Sequence, residues 1–246
     1  MKTRYADLHI HTVLSPCGDL EMSPANILRT ARQKGLDIIG ITDHNSTREA
    51  KIIRDAAENT GLFVLAGAEV TTREEVHCLA FFEEDGQLTD FQTYLDTYLP
   101  DIPNNPEKFG YQVVADIQDN IIYEEPKLLI SAITPGLEEI EKKVHSLQGI
   151  FIPAHIDKSH FSILSQLGFI PPSLQCDALE LSPHTTYTSF IHNYDYLKNY
   201  PFIRSSDAHY LPDIGKVSTP FELDEISFST IREDIHLYLI HISEPT

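Results

Sequence analysis

Apolar residues along this chain gather into short runs, separated by amphipathic stretches with clear start and stop signals. Arg4 to Ile10 (RYADLHI) reads as a strand. Ser23-Pro24 then supplies an N-cap and a proline at the first helical position, predicting a helix from Ala25 to Lys34 that Gly35 ends. Asp37 to Thr42 (DIIGIT) is a continuous apolar run, the mark of a buried strand, and a helix from Arg48 to Asn59 follows, closed by Gly61. Leu62 to Val70 and Val76 to Phe82 are further strands. This β-α-β-α-β order predicts a parallel sheet or barrel.

The middle of the chain is less regular. Asp90 to Leu99 reads as a helix and Ile102 to Phe109 as a Pro/Asn-rich connection, while Gln112 to Glu124 fits either a hairpin or a strand entering a helix. Order returns with an amphipathic helix, Leu137 to Leu147, ended by Gly149. The strand Ile150 to Ala154 runs straight into His155, and shorter strands are expected at Ala178–Leu181 and Phe202–Ser205. The last residues, LIHISEPT from Leu239 to Thr246, resemble the in-frame translation of a sequencing-library adapter, so 239–246 is set aside as a non-native tail. One domain over residues 1–238 is expected, with 83–148 as an insertion that encodes substrate specificity.

Charge changes the picture more than composition does. With 37 acidic residues against 18 basic ones, the formal net charge of −19 disfavours long nucleic acid and anionic lipid as partners. Clustered carboxylates are also what divalent cations seek. The 3 cysteines, Cys17, Cys78 and Cys176, are widely spaced and form no CxxC, which fits a reducing compartment. Asp7, His9 and His11 interrupt the N-terminal strand and no run approaches a membrane span, so a cytoplasmic protein bound to no membrane is expected.

The candidate chemistry sits at the strand ends. Residues two apart on a strand face the same way, so His9 and His11 can present both imidazoles to one ion. The following strands end in or begin with Asp43-His44, Glu69, His77, His155 and Asp207-Ala208-His209. In parallel α/β folds, sites are built at the C-terminal ends of strands. Each piece alone is weak: an HxH pair is more often ordinary polar surface, TDHN is also good cap material, and SSDAH is also a polar turn. Their conjunction makes the case for a metal site.

Taken together, DLHIHT, GITDHN, GAEV with His77 eight residues after its glutamate, PAHID and SSDAH resemble the PHP (polymerase and histidinol phosphatase) domain family, in the family's order across Asp7 to His209. LSPCGDLEMSP resembles stand-alone bacterial members. The resemblance implies a distorted (β/α)7 TIM-like barrel with two or three divalent ions at its mouth. Carried over by position, His9, His11, Glu69 and Asp207 would hold one ion. Glu69 would bridge to a second completed by His77 and His155, and a third would take Asp19, His44 and His209. Asp7 and Asp43 are read either as orienting neighbouring imidazoles or, with equal weight, as buried structural carboxylates. Imidazole mixed with carboxylate suits zinc, manganese or iron, and Cys17 reads as a small loop residue, with a place near the metal as the alternative.

The implied chemistry is hydrolysis of a small phosphate ester, with a metal-bridging hydroxide as nucleophile and Glu69, Asp207 and His209 at its centre. The substrate is expected to be a phosphorylated metabolite or nucleotide. Arg48, Lys158 and Arg204 are candidate phosphate contacts by position, and His184, Tyr187 and Tyr210 candidate pocket residues. Two alternatives stand beside this reading: a nucleotide phosphodiesterase or exonuclease on the same centre, and a metal-dependent regulatory module without catalysis.

Overall fold

The structure, a computed structural model, describes residues 1–237; the tail expected at 239–246 lies outside them. Ten strands form: β1 (Lys2–Ile10), β2 (Ile38–Ile41), β3 (Phe63–Thr71), β4 (His77–Phe82), β5 (Val113–Ala115), β6 (Ile121–Glu124), β7 (Ile150–Pro153), β8 (Leu179–Leu181), β9 (Phe202–Arg204) and β10 (Thr219–Leu223). The helices are α1 (Pro24–Gln33), α2 (Arg48–Ala57), α3 (Asp85–Tyr98), α4 (Pro106–Phe109), α5 (Leu137–Ser146), α6 (Ile163–Leu167), α7 (Tyr187–Asn193) and α8 (Phe228–Leu237). None is long and apolar enough to cross a membrane.

A curled 6-stranded sheet, ordered β10-β1-β2-β3-β4-β7, carries the fold, and β8–β9 form a parallel pair beside it. The expected closed seven-stranded barrel does not form. β1, β2 and β3 are parallel, but β4 returns antiparallel to β3 because only residues 72–76 connect them. A parallel crossover needs about a dozen residues or more. Single backbone bonds replace continuous ladders at the two seams. Asp177 and Ile156 amides reach the Phe151 and Glu180 carbonyls at 2.9 and 2.8 Å, and Ala208 bridges Ile10. One edge of β1 is therefore shared: its first half, Lys2–Ala6, pairs with β10 and its second half with Ala208.

Two apolar layers follow from strand alternation. Ala6, Leu8, Ile38, Leu65, Leu79, Phe81, Ile150 and Ile152 fill the concave side, where α8 packs Phe228, Ile231 and Ile235 against them. Val64, Ala66, Ala68, Ala80, Phe82 and Phe151 face the other way, under α2, α3 and α5. Gly67 lets β3 and β4 approach closely: a Cβ there would sit 2.0 Å from the Ala80 carbonyl oxygen. Helices α1, α2 and α5 begin near their predicted starts, whereas α3 opens at Asp85, where the Gln87 side chain accepts from the Glu83 and Glu84 amides; α4 lies within the expected connection, and α6, α7 and α8 were not foreseen. Residues 113–124 form the hairpin β5–β6.

Glu49 ties α2 to that hairpin. It is fully buried, and its carboxyl oxygens accept from the Ala115 amide at 3.2 and 3.1 Å. Burial, reinforced by Asp43, pushes this carboxyl up to about 9 from an ordinary 4.5. The folded chain thus holds a proton that the unfolded chain releases near 4.5. The associated stability is complete below about pH 4.5 and is lost as pH rises towards about 9. Glu49→Gln is expected to flatten the fall of thermal midpoint over that window, read by unfolding curves at stepped pH; parallel curves for the two proteins would refute the assignment.

Candidate metal centre

The inner face of the sheet continues upward from apolar residues into ligand-bearing ones. Leu65, Gly67 and Glu69 alternate along β3, and Phe81, Leu79 and His77 along β4, so Glu69 and His77 crown the inner layer. On β1 the register with β2 slips between Asp7 and Ile10. The slip changes the parity: Leu8 belongs to the inner layer, Ile10 to the outer, and His9 and His11 take the inner side beside Glu69. Three further positions at the ends of the strands, Asn45, His155 and Asp207, adopt left-handed backbone with φ of 46, 30 and 52°. Each such residue costs about 1–3 kcal/mol, tolerated here because the turn aims or anchors a site side chain.

The polar atoms converge. His9 Nε2 lies 3.2 Å from His11 Nε2, 3.3 Å from Glu69 and 3.4 Å from Asp207. His11 Nε2 stands 3.4 Å from Glu69 and 3.5 Å from Asp207. On the other flank of Glu69, His77 Nδ1 and His155 Nε2 sit 2.9 and 3.0 Å from one carboxylate oxygen, and His44 Nδ1 3.1 Å from the other. His209 Nε2 is 3.4 Å from Asp207. Ligands about 2.1 Å from one ion stand roughly 3.4 Å apart at tetrahedral angles, so these spacings fit shared cations. His44 Nδ1 makes no hydrogen bond despite its burial, as expected of a donor atom aimed at a metal. The groups His9–His11–Glu69 and His44–Glu69–His77 each bring their ligand atoms within 4.8 Å of one another.

Electrostatics follow from that crowding. Burial alone would raise the Glu69 carboxyl, but the imidazoles of His77, His9 and His44 hold it well below the usual carboxylate range. Asp207 is likewise held low against its burial, chiefly by His9. Burial, with His209 and His44 close by, keeps His11 well below the ordinary imidazole value. Ligands of this kind release protons when cations bind.

Asp7 and Asp43 brace loops rather than touching imidazoles directly. Asp7 accepts from the Ser206 amide, the Ser206 hydroxyl and the Gly215 amide at 2.9, 2.5 and 2.8 Å, fixing the segment that carries Asp207. Asp43 accepts from the Thr12 amide and hydroxyl and from the Ser15 hydroxyl, and Ser15 in turn lies 2.9 Å from His11 Nδ1. Asp19 is not brought to the cluster: its carboxylate accepts from the Glu21 amide at 2.8 Å. Arg48 is engaged by Asp96 and Glu125, and Arg204 lies beside the Pro183 carbonyl, so neither lines the cavity. Tyr187 packs on Phe202 and Tyr210 is exposed outside it.

A cavity of about 430 Å³ opens over the cluster. Lys158 and His184 line it, with Lys158 Nζ paired to Asp207. Its remaining wall comes from Asp157–Phe161 and Ser182–Thr185, and nothing from 83–148 contributes among the described residues. Sequence reasoning also passed over Glu180. Its carboxylate, 2% exposed, lies 2.9 Å from His9 Nδ1 and accepts from the His155 amide at 3.0 Å, orienting two ligand residues at once. The signal was present: an acid inside the apolar run ALEL, like Glu69 inside FVLAGAEV.

The PHP domain model matches residues 7–163, and the PHP-associated (PHP_C) model residues 197–237. The chain belongs to the PHP family. The uncharacterized protein YqxK of Bacillus subtilis is 27% identical over 88% of this chain and 57% of its own length. A lesion-specific endonuclease from Pyrococcus furiosus superposes with a TM-score of 0.75 at 22% identity, covering 96% of this chain and 56% of its own. A candidate metal-dependent phosphoesterase from Bifidobacterium adolescentis does so at 0.58 and 21%, covering 94% and 95%. This PHP chain spans a little over half the length of the first curated relatives it matches, 52 and 57%. Both solved structures, at 22 and 21% identity, share the fold of this PHP chain.

Because Glu180 fixes the His9 ring through the nitrogen turned away from the cluster, Glu180→Gln is expected to weaken metal affinity by roughly 10–100-fold while leaving the fold intact. Competition with a chelator of known affinity, with circular dichroism alongside, measures both; unchanged affinity would remove Glu180 from this role.

Proposed function

We propose that this PHP chain hydrolyses a small phosphate ester, a phosphorylated metabolite or nucleotide, using divalent cations held by His9, His11, Glu69, His77, His155 and Asp207. The observation that carries the reading is the convergence on Glu69 of imidazoles from both flanks, directly beneath a cavity of about 430 Å³, a size suited to a small ligand. Bound divalent ions supply a water of lowered pKa and neutralise charge on the phosphoryl oxygens.

The chain's own residues then have distinct tasks. Glu69 holds the two flanks at a fixed separation. Lys158, paired with Asp207 at the cavity wall, is the cation available to meet a substrate phosphate. His184 stands across the same cavity. His209, beside Asp207, is placed to serve the leaving oxygen. Zinc, manganese and iron suit the donor set, and the three free thiols fit a cytoplasmic setting. A phosphodiester substrate is the second reading, supported by the fold shared with the lesion-specific endonuclease. The net charge of −19 weighs against a long polynucleotide.

Metal-reconstituted protein is expected to cleave p-nitrophenyl phosphate in preference to its bis ester, and to lose the activity to chelator. Turnover of the bis ester alone selects the diesterase reading. Full metal content with no turnover of either points to a non-catalytic module. His77→Ala should lower kcat by at least the roughly 10–100-fold that losing an outer partner costs such centres. Lys158→Met should raise KM with kcat nearly unchanged, and an unaltered KM on the true substrate would exclude Lys158 as a phosphate contact.

A further inference from the structure

We propose that His145, an imidazolium held between two carboxylates, pins the open seam between β7 and β8, and that loss of its proton slackens the strand carrying Glu180. The effect on the metal centre rests on the reading above; the pin itself does not.

The seam needs a pin because no ladder closes it. The 6-stranded sheet ends at β7, and β8 pairs with β9 in a sheet of its own. Asp177 instead grips both polar groups of Phe151: its amide donates to the carbonyl at 2.9 Å, and its carboxylate accepts from the amide at 2.7 Å. That carboxylate is largely buried, so its charge has to be met. The oxygen that takes the Phe151 amide lies 3.0 Å from His145 Nε2, and the other lies 3.2 Å from His236 Nε2 on α8. One side chain thus ties β7, α5 and α8 to the entry of β8.

His145 meets a second carboxylate with its other nitrogen. Nδ1 stands 2.6 Å from Glu141, which is buried one helical turn back on α5. A neutral imidazole donates from one nitrogen only, so both contacts are hydrogen bonds only when both nitrogens carry protons. Without the second proton, a lone pair faces a buried carboxylate oxygen. Among the described residues, the other titratable and charged groups around the ring do not replace the lost donor. Arg232 on α8 is engaged by the Gln148 and Gly149 carbonyls, and His236 is given to the far oxygen of Asp177. Cys176 brings no charge, because burial, with Asp177 and Glu141 nearby, pushes its thiol up.

Electrostatics agree with this geometry. The bonds to Asp177 and Glu141 hold His145 above the ordinary imidazole value of 6.5, and His145 holds Asp177 below the usual 3.8 against its burial. The His145 contribution is therefore complete below 6.5 and is lost as pH rises through the raised value. The Asp177 contribution is complete above 3.8 and is lost as pH falls through the lowered one. Glu180 follows Asp177 along the same strand and orients His9 and His155, so slack at the seam reaches both of those residues.

Nuclear magnetic resonance of the metal-free full chain tests the pin. His145 should titrate above 6.5, with both ring nitrogens protonated below its midpoint. Exchange of the Phe151 and Asp177 amides, corrected for the intrinsic effect of pH, should quicken about tenfold or more as His145 loses its proton. A midpoint at or below 6.5, or protection unchanged across the titration, overturns the pin. His145→Gln, neutral throughout, should exchange fast at every pH, whereas His145→Lys, which keeps a charge, should stay protected. If either variant fails to fold, titration and exchange in the unmodified chain decide alone. Zinc affinity, read by chelator competition, tests the link. His145→Gln should bind roughly tenfold more weakly than the unmodified chain below the midpoint, and His145→Lys roughly tenfold more tightly above it. Equal affinities on both sides overturn the link and leave the pin standing. Zinc bound by none of the chains overturns the metal-centre reading and the link with it, while amide exchange still judges the pin.

Discussion

Everything in this structure is arranged around one buried carboxylate. Glu69 is 1% exposed at the top of the inner apolar layer, and His9, His11, His44, His77 and His155 all approach it within 3.4 Å. A charge so placed costs several kcal/mol unless positive charge faces it. Imidazoles meet that need in part: against their burial, neighbouring acidic groups hold His9 and His44 above the ordinary imidazole value, whereas burial keeps His11 low. Divalent cations would meet the rest. The same constraint explains why the ligands come from separate strands: no single element can surround a carboxylate, whereas a sheet curled about its own inner face can.

Holding the ligands costs backbone conformation as well as charge. His155 and Asp207 sit at positive φ, and Asn45, in the same state, is held by its side chain to the Leu129 and Ser131 carbonyls at 2.7 and 2.9 Å. Asp7 and Asp43 serve this scaffold rather than the imidazoles alone. Each gathers amides and hydroxyls from a loop that would otherwise be free to move. Strained turns and buried braces occur together because the former persist only where the surroundings over-determine them.

Much of the architecture was legible from residues alone, and the exceptions have physical causes. The strand ends bearing His9, His11, Glu69, His77, His155 and Asp207 stood out because polar residues closing apolar runs demand an explanation, and the structure does bring them together. The direction of β4 did not stand out. An apolar run reads alike both ways, and its turn has no Asn-Gly signal: Glu75 itself takes the left-handed conformation at φ 59°. Connection length was the usable clue. In the loop after β1, expected to contribute Asp19, it is Cys17 that lines the cavity, while the Asp19 carboxylate accepts from the Glu21 amide. The cavity wall at Asp157–Phe161, where Phe161 stacks on His77 at 4.8 Å, follows a ligand directly and carries no motif of its own.

The divided edge of β1 bears on how the molecule comes into being. Its lower half is completed by β10 and its upper half by Ala208, while Asp7 waits for Ser206 across 199 positions of sequence. His9 and His11 therefore lack the Asp207 carboxylate until a segment some 199 positions further along is in place. Loop closure over such a span is slow, and an open strand edge is exposed meanwhile. The centre is complete only when these two distant segments meet, and a cation held between them would act as the clasp.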